Sequence, residues 1–290
     1  MEDAVIVREL SRPEEFQEAV EVQRSAWRMP DYREAAPAHL LRALAANGGL
    51  VLGAFHRGRL VGVSYGWPAG YYFYSHATGV LEEAKSLGVG FLLKKAQREK
   101  VLERYGLSLA KWTFDPLQSL NSHFNLAKLG AIVAEYHVNY YGEIRDGVNA
   151  GLGSDRARAE WWLTTPRVQH RLDHGGRPPL CLDRLEALSP RPAFRVEHAG
   201  GAPRPGVTLD YEGATIVLVP TPRDPGRLRS VDPRLPRAWR EATRSVYQSL
   251  IPKGYVLVDN IPGGEGYTFN VLWKASLGDI LAGPEPWRDC

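Results

Sequence analysis

The chain has 290 residues, 44% hydrophobic and 24% charged, with 36 Lys and Arg against 33 Asp and Glu for a net charge of +3. This is the composition of a folded globular protein with chain enough for one large domain or two ordinary ones, and for a core that needs neither disulfides nor structural metal. The near balance of charge argues against nucleic acid as a partner, two cysteines make no disulfide framework, and no apolar run approaches the roughly 20 residues of a membrane span.

In chain order, Val5 to Leu10 alternates as a strand, and Arg12-Pro13-Glu14-Glu15 opens a helix that runs through Phe16, Val20, Val22 and Ala26. A second helix is expected over Ala38 to Ala46, stopped by Asn47-Gly48-Gly49. Leu50 to Phe55 and Leu60 to Trp67 form a hairpin about Arg57-Gly58, and Tyr71 to Val80 is a third strand. A long helical period covers Phe91 to Tyr105, Leu109 to Phe114 is a strand, Ser119 to Leu129 a helix closed by Gly130, and Ile132 to Tyr140 a strand. The order β-α-α-β-β-β-α-β-α-β predicts an α/β (α+β) fold, one mixed sheet flanked by helices.

The polar run Asp173 to Pro179 marks a boundary between an N-terminal domain over 1–171 and a C-terminal α+β unit over 180–290. In that unit strand pairs are expected around Phe194 to His198 and Val207 to Val219, with Asp210-Tyr211-Glu212-Gly213 as a hairpin turn. A helix through Trp239, Val246 and Leu250 follows, then strands over Tyr255 to Asn260 and Tyr267 to Lys274, which are candidates for pairing in a homodimer. The first residues, MEDAVIVREL, carry acids and no long apolar run, so no signal peptide is expected, and with so few cysteines a cytoplasmic setting is. The histidines show no metal spacing, and no metal is expected.

The segment that carries chemistry lies between the third strand and the long helix. The turn Lys85-Ser86-Leu87-Gly88-Val89-Gly90 leads into a helix N-terminus, whose first N–H groups lack carbonyl partners and attract an anion. Glycine there lets backbone approach a phosphate, and Lys85 adds charge at the rim. A third glycine at dinucleotide spacing is missing, and no Gly-Lys-Ser/Thr follows, so neither a Rossmann nor a Walker reading fits. The residues themselves point to a phosphate-bearing cofactor and no further.

The arrangement Val80-x4-Lys85-x2-Gly88-x-Gly90 resembles motif A of the GNAT superfamily of N-acetyltransferases, and residues 112–130, with Asn121 near a helix start and Leu129-Gly130 at its end, are similar to motif B. The segments ATGV, NLAKLGA, NYYGE and AWREATR resemble a bacterial branch of that superfamily. The resemblance implies a GNAT-like, mostly antiparallel sheet and an acetyl-CoA-dependent transfer of an acetyl group to the amine of a small molecule or peptide. It implies that backbone at Thr78, Gly79 and Val80 binds the pantetheine arm and acyl carbonyl, that Lys85, Ser86, Leu87, Gly88, Val89 and Gly90 hold the pyrophosphate, and that Asn121 touches the cofactor. Two departures stand out: Lys85 replaces the usual Arg or Gln, and Leu126 occupies the place of the usual tyrosine acid. Two alternatives therefore remain beside an acetyltransferase, a non-catalytic acyl-CoA-binding or regulatory protein and an enzyme with a longer acyl donor.

Attack of an amine on a thioester needs a base for the amine and a proton for the departing sulfur. Tyr136, Tyr140 and Tyr141 are candidates for the acid, with Tyr141 preferred because Tyr141-Gly142-Glu143 ends a strand. Glu143, Asp115, Glu160 and His76 are candidates for the base. The plain alternatives are that strand tyrosines pack, that Asp115 before Pro116 caps a turn, that a lone strand histidine is structural, and that one of Trp161 and Trp162 faces core.

Overall fold

The computed structural model describes residues 4–142 and 153–289, which form two compact units divided between Trp112 and Thr113. In both, a mostly antiparallel sheet is flanked by helices.

The first unit holds β1 (Ile6–Glu9), α1 (Pro13–Ala26), α2 (Ala38–Ala46), β2 (Leu50–His56), β3 (Arg59–Ala69), β4 (Tyr72–Val80), α3 (Val89–Tyr105) and β5 (Leu109–Phe114) as far as Trp112. Its strands stand in chain order, antiparallel from β1 to β4, with β5 parallel to β4. Phe16, Ala19 and Val22 of α1 are buried, as are Val89, Leu93 and Val101 of α3, one apolar stripe on each helix. Glu15 starts α1: its carboxylate reaches back to the N–H groups of Ser11 (2.9 Å) and Arg12 (3.3 Å) and takes the Arg8 guanidinium at 2.7 and 3.2 Å. The Gln23 side chain exchanges hydrogen bonds with both backbone groups of Ala36 and accepts from the Tyr65 hydroxyl, which ties the loop after α1 to the sheet.

In the second unit come α4 (Ser119–Ser122), β6 (Ile132–His137), β7 (Arg156–Trp162), α5 (Pro166–Asp173), α6 (Leu182–Ala187), β8 (Arg191–Pro192), β9 (Phe194–Ala199), β10 (Ala202–Thr208), β11 (Ile216–Pro222), α7 (Pro225–Val231), α8 (Leu235–Leu250), β12 (Val256–Pro262), β13 (Tyr267–Trp273) and α9 (Leu277–Leu281). The strand order is β7-β6-β12-β13-β11-β8, and β9 and β10 form a separate hairpin. Ile132, Ile216, Val258, Val271 and Trp287 are among the residues of its core.

Three expectations need correction. The C-terminal hairpin is β9–β10, closed at Gly200-Gly201, and β11 pairs with β13 instead of folding back about Asp210. Ser119 to Leu129 is not one α-helix: a single turn passes into a π-helical stretch over His123–Lys128. β6 ends at His137, two residues before Asn139 takes a φ of 50°. Among the described residues no helix is long and apolar enough to cross a membrane.

Candidate active site

Between β4 and α3 the chain makes a short 3-10 helix, Glu82–Leu87, then Gly88 at φ 71° and ψ 17°. That left-handed conformation lets the chain reverse into α3 without strain, which a side chain at this position would introduce. Gly88 is the N-cap of α3: its carbonyl accepts from Phe91 (3.0 Å) and Leu92 (3.2 Å), and the N–H groups of Val89 and Gly90 precede any intrahelical acceptor. The region where the sequence places a pyrophosphate is thus a helix N-terminus with its donors directed outward. Lys85 Nζ pairs at 2.8 Å with Glu82, both well exposed, so its charge is shared before any ligand arrives.

Upstream, β4 pairs with β5 at Phe73↔Ala110 and Tyr74↔Lys111, while from Ser75 to Val80 its pairing is with β3. The ladder with β3 slips between Tyr65↔Ala77 and Gly66↔Ser75, leaving His76 as the extra residue of a bulge. Three residues apart, Ser75 and Thr78 consequently share the face that meets α3, and His76 and Gly79 share the other. On that other face a Cβ at Gly79 would stand 3.0 Å from the Trp27 indole, so the backbone at the predicted pantetheine position is covered by α1's last turn and its cap residue.

His76 packs on Trp67 in a stacked arrangement at 5.4 Å and against Tyr65 and Tyr74 at 5.4 and 5.8 Å, while the residue as a whole remains exposed. Burial of the ring against these aromatics pushes its pKa below the ordinary histidine value, so the neutral form, a proton acceptor, is favoured.

Sequence reasoning missed a buried polar chain on the α3 face. Lys94 Nζ donates to Ser75 Oγ (2.9 Å) and Gln97 Oε1 (2.8 Å) and lies 3.7 Å from the Trp112 ring centroid. Gln97 Nε2 donates to Ser64 Oγ at 3.1 Å, and Ser64 Oγ is 2.9 Å from Thr78 Oγ1. Burial lowers the Lys94 pKa well below its ordinary value. A signal was present: Gln97 continues the four-residue spacing of Val89, Leu93 and Val101, so a polar side chain sits in the core-facing stripe.

In the second unit, Tyr141 is half-exposed in a turn held by Ser154, whose Oγ accepts from the Tyr141 N–H at 2.9 Å. The Tyr141 hydroxyl lies 3.0 Å from Thr113 Oγ1, and the Arg156 guanidinium lies over its ring. Tyr136 is differently placed. Its hydroxyl donates to Asp155 at 2.5 Å, and burial together with that carboxylate raises its pKa, which unsuits it as an acid. Asp115 is spent in a buried pair with Arg240, and one Glu160 oxygen accepts from the Trp162 indole at 3.3 Å. Trp161 is fully buried and Trp162 partly, as strand alternation requires. Asn121 is exposed on α4, Leu126 is fully buried, and Glu143 lies outside the described residues. Among the described residues no cluster of His, Cys, Asp or Glu is arranged to hold a metal ion.

Comparison with known proteins bears on the first unit. Residues 2–108 match the family model "Acetyltransferase (GNAT) domain", a match that ends before the segment likened to motif B. No curated protein matches the chain in sequence. Among solved structures it is similar to a GNAT-family acetyltransferase from Streptococcus pneumoniae (15% identity, TM-score 0.45, 54% of this chain and 98% of that one). It is similar also to the ribosomal-protein-S18-alanine N-acetyltransferase of Escherichia coli (12%, 0.44, 54% and 92%). A third similar structure is a GNAT family acetyltransferase from Brucella melitensis in complex with acetyl-CoA (21%, 0.33, 39% and 77%). Residues 2–108 are thus the part of the chain that is similar to a GNAT acetyltransferase domain.

Proposed function

We propose that this protein transfers an acetyl group from acetyl-CoA to an amine by direct attack. The observation that carries the reading is the run from β4 into α3 within the GNAT-like region: a strand edge that, among the described residues, has no second strand partner beyond Tyr74, leading to a helix N-terminus opened by a left-handed glycine. That N-terminus suits a pyrophosphate, through the N–H groups of Val89 and Gly90 and the helix dipole, more than through Lys85, which Glu82 already holds. The strand edge from Ser75 to Val80 offers backbone groups to the amide-bearing pantetheine arm.

Acetyl-CoA supplies the activated thioester. For its part, the chain must take a proton from the amine as the new C–N bond forms and return one to sulfur as the C–S bond breaks. Neutral His76, at the bulge, is our candidate for the first task. The acceptor is a small-molecule or peptide amine.

Isothermal calorimetry with acetyl-CoA and free CoA tests the reading. A Gly90→Asp variant keeps a helix-favourable acid in the first turn of α3 but sets its charge against a pyrophosphate, so binding should be lost with the fold intact. Failure of the unmodified protein to bind either ligand would sink the proposal.

One observation favours a second reading, a non-catalytic acyl-CoA-binding protein: Leu126, where the usual acid would stand, is a fully buried core residue. Thiol release above background with any amine of a broad panel would exclude it.

A further inference from the structure

We propose that the Thr78 hydroxyl is a hydrogen-bond donor reserved for a carbonyl oxygen of the bound acyl-CoA, its direction set by the buried chain that starts at Lys94; this rests on the reading of the first unit as an acetyl-CoA site. The direction follows from donor and acceptor inventory. Gln97 Oε1 can only accept, so the contact with Lys94 Nζ fixes the amide orientation and turns its NH2 toward Ser64. Ser64 is fully buried and accepts from Gln97, leaving one hydroxyl hydrogen to place. Among the described residues its remaining partner is Thr78 Oγ1 at 2.9 Å, and a buried hydroxyl hydrogen left unpaired carries a desolvation penalty. Ser64 therefore donates to Thr78. The hydrogen of Thr78 itself then points away from the chain.

Thr78 is half-buried at the β4 edge that, among the described residues, has no second strand partner, and the His76 bulge has turned it onto the α3 face. It precedes Val80 by two residues, about 7 Å along the strand. An acceptor ligand passing from the α3 N-terminus along this edge meets a hydroxyl already oriented to donate. Pantetheine amides and the thioester both present carbonyl oxygens, and each satisfies that chemistry. Thr78 is thus a binding residue, and Lys94, Gln97 and Ser64 are positioning residues behind it.

Three variants and two ligands test this by calorimetry. Thr78→Val removes the donor, and Thr78→Ser keeps it. Gln97→Glu keeps the shape but makes position 97 accept from both sides, so Ser64 donates inward and the Thr78 hydrogen turns toward Ser64. Thr78→Val and Gln97→Glu should each weaken acetyl-CoA binding on the order of 5- to 10-fold, with Thr78→Ser near the unmodified value. An equal loss for free CoA assigns the bond to a pantetheine amide. Loss confined to acetyl-CoA, with an upfield move of the carbonyl resonance of [1-13C]acetyl-CoA, assigns it to the thioester. Unchanged binding in Thr78→Val overturns the donor, and unchanged binding in Gln97→Glu overturns the directing chain. If the unmodified protein binds neither ligand, it is the acetyl-CoA reading that has failed.

Discussion

The Arg240 guanidinium lies square on the Asp115 carboxylate, with Nη1 2.7 Å from Oδ1 and Nη2 2.5 Å from Oδ2, and both side chains are buried. Asp115 Oδ1 also accepts from the Leu117 N–H, capping the turn after β5. A carboxylate engaged in this way is an anchor for α8 and not a free base. Asp115→Asn leaves Arg240 charged without its counterion, and the expected cost is about 3–5 kcal/mol of stability, read from urea unfolding. A loss under 1 kcal/mol would mean that the pair is not formed in solution.

Glu15 fixes the start of α1 and predicts an acid-sensitive fold. Its bonds from Arg8, and further bonds from Ser11 and Arg12 that outweigh the penalty of burial, hold its pKa far below the ordinary carboxylate range. A depressed folded-state value means stability that is fully present above the unfolded pKa of about 4.3 and lost as pH falls below it. Glu15→Gln should lose about 2 kcal/mol at pH 7. Its unfolding free energy should also depend less on pH between about 4 and 2 than that of the unmodified protein, which denaturant titrations at several pH values will decide.

His76 should titrate below about 6.5, the ordinary histidine value, in a pH series of imidazole carbon shifts. Because burial disfavours the imidazolium, the folded protein binds this proton less readily than the unfolded chain, so protonation costs stability as pH falls through that region. Transfer to any acceptor should rise with pH across the same midpoint, and His76→Gln should remove that limb. A midpoint above 6.5 would contradict the packing described for Tyr65, Trp67 and Tyr74.

Gly79→Ala places a methyl carbon against the Trp27 ring, 3.0 and 3.1 Å from two of its carbons. Overpacking of this kind costs about 1–3 kcal/mol. Because the new group presses on an indole, the tryptophan emission should shift along with the melting temperature. A neutral substitution would show that the cap of α1 moves freely.

Much of the fold was legible in the chain. The order of elements through β6 follows from local signals: Pro13 with Glu14 and Glu15 at a helix start, Asn47-Gly48-Gly49 at a helix end, and apolar spacing of four along α3. The glycine turn at residues 88–90 was legible for the same reason, since positive φ at Gly88 is a property of one residue and its neighbours. The C-terminal hairpin was misread because Asp210-Tyr211-Glu212-Gly213 and Gly200-Gly201 are both good turns, and only the pairing of β11 with β13, set by residues 267–273, decides between them.

By itself, then, the sequence determined the starts and stops of α1, α2 and α3, the first strands and the glycine turn before α3, all of which depend on backbone preferences within a few residues. Tertiary structure alone decided the chemistry of the side chains. A one-residue slip against β3 makes His76 a bulge and puts Ser75 and Thr78 on one face, and no local pattern encodes a register. Whether Asp115 is a base or an anchor depends on Arg240, 125 residues away, and whether Lys94 is a surface cation or the buried head of a polar chain depends on Ser75 and Trp112. Charge and hydrogen bonding act through space, and folding chooses the partners.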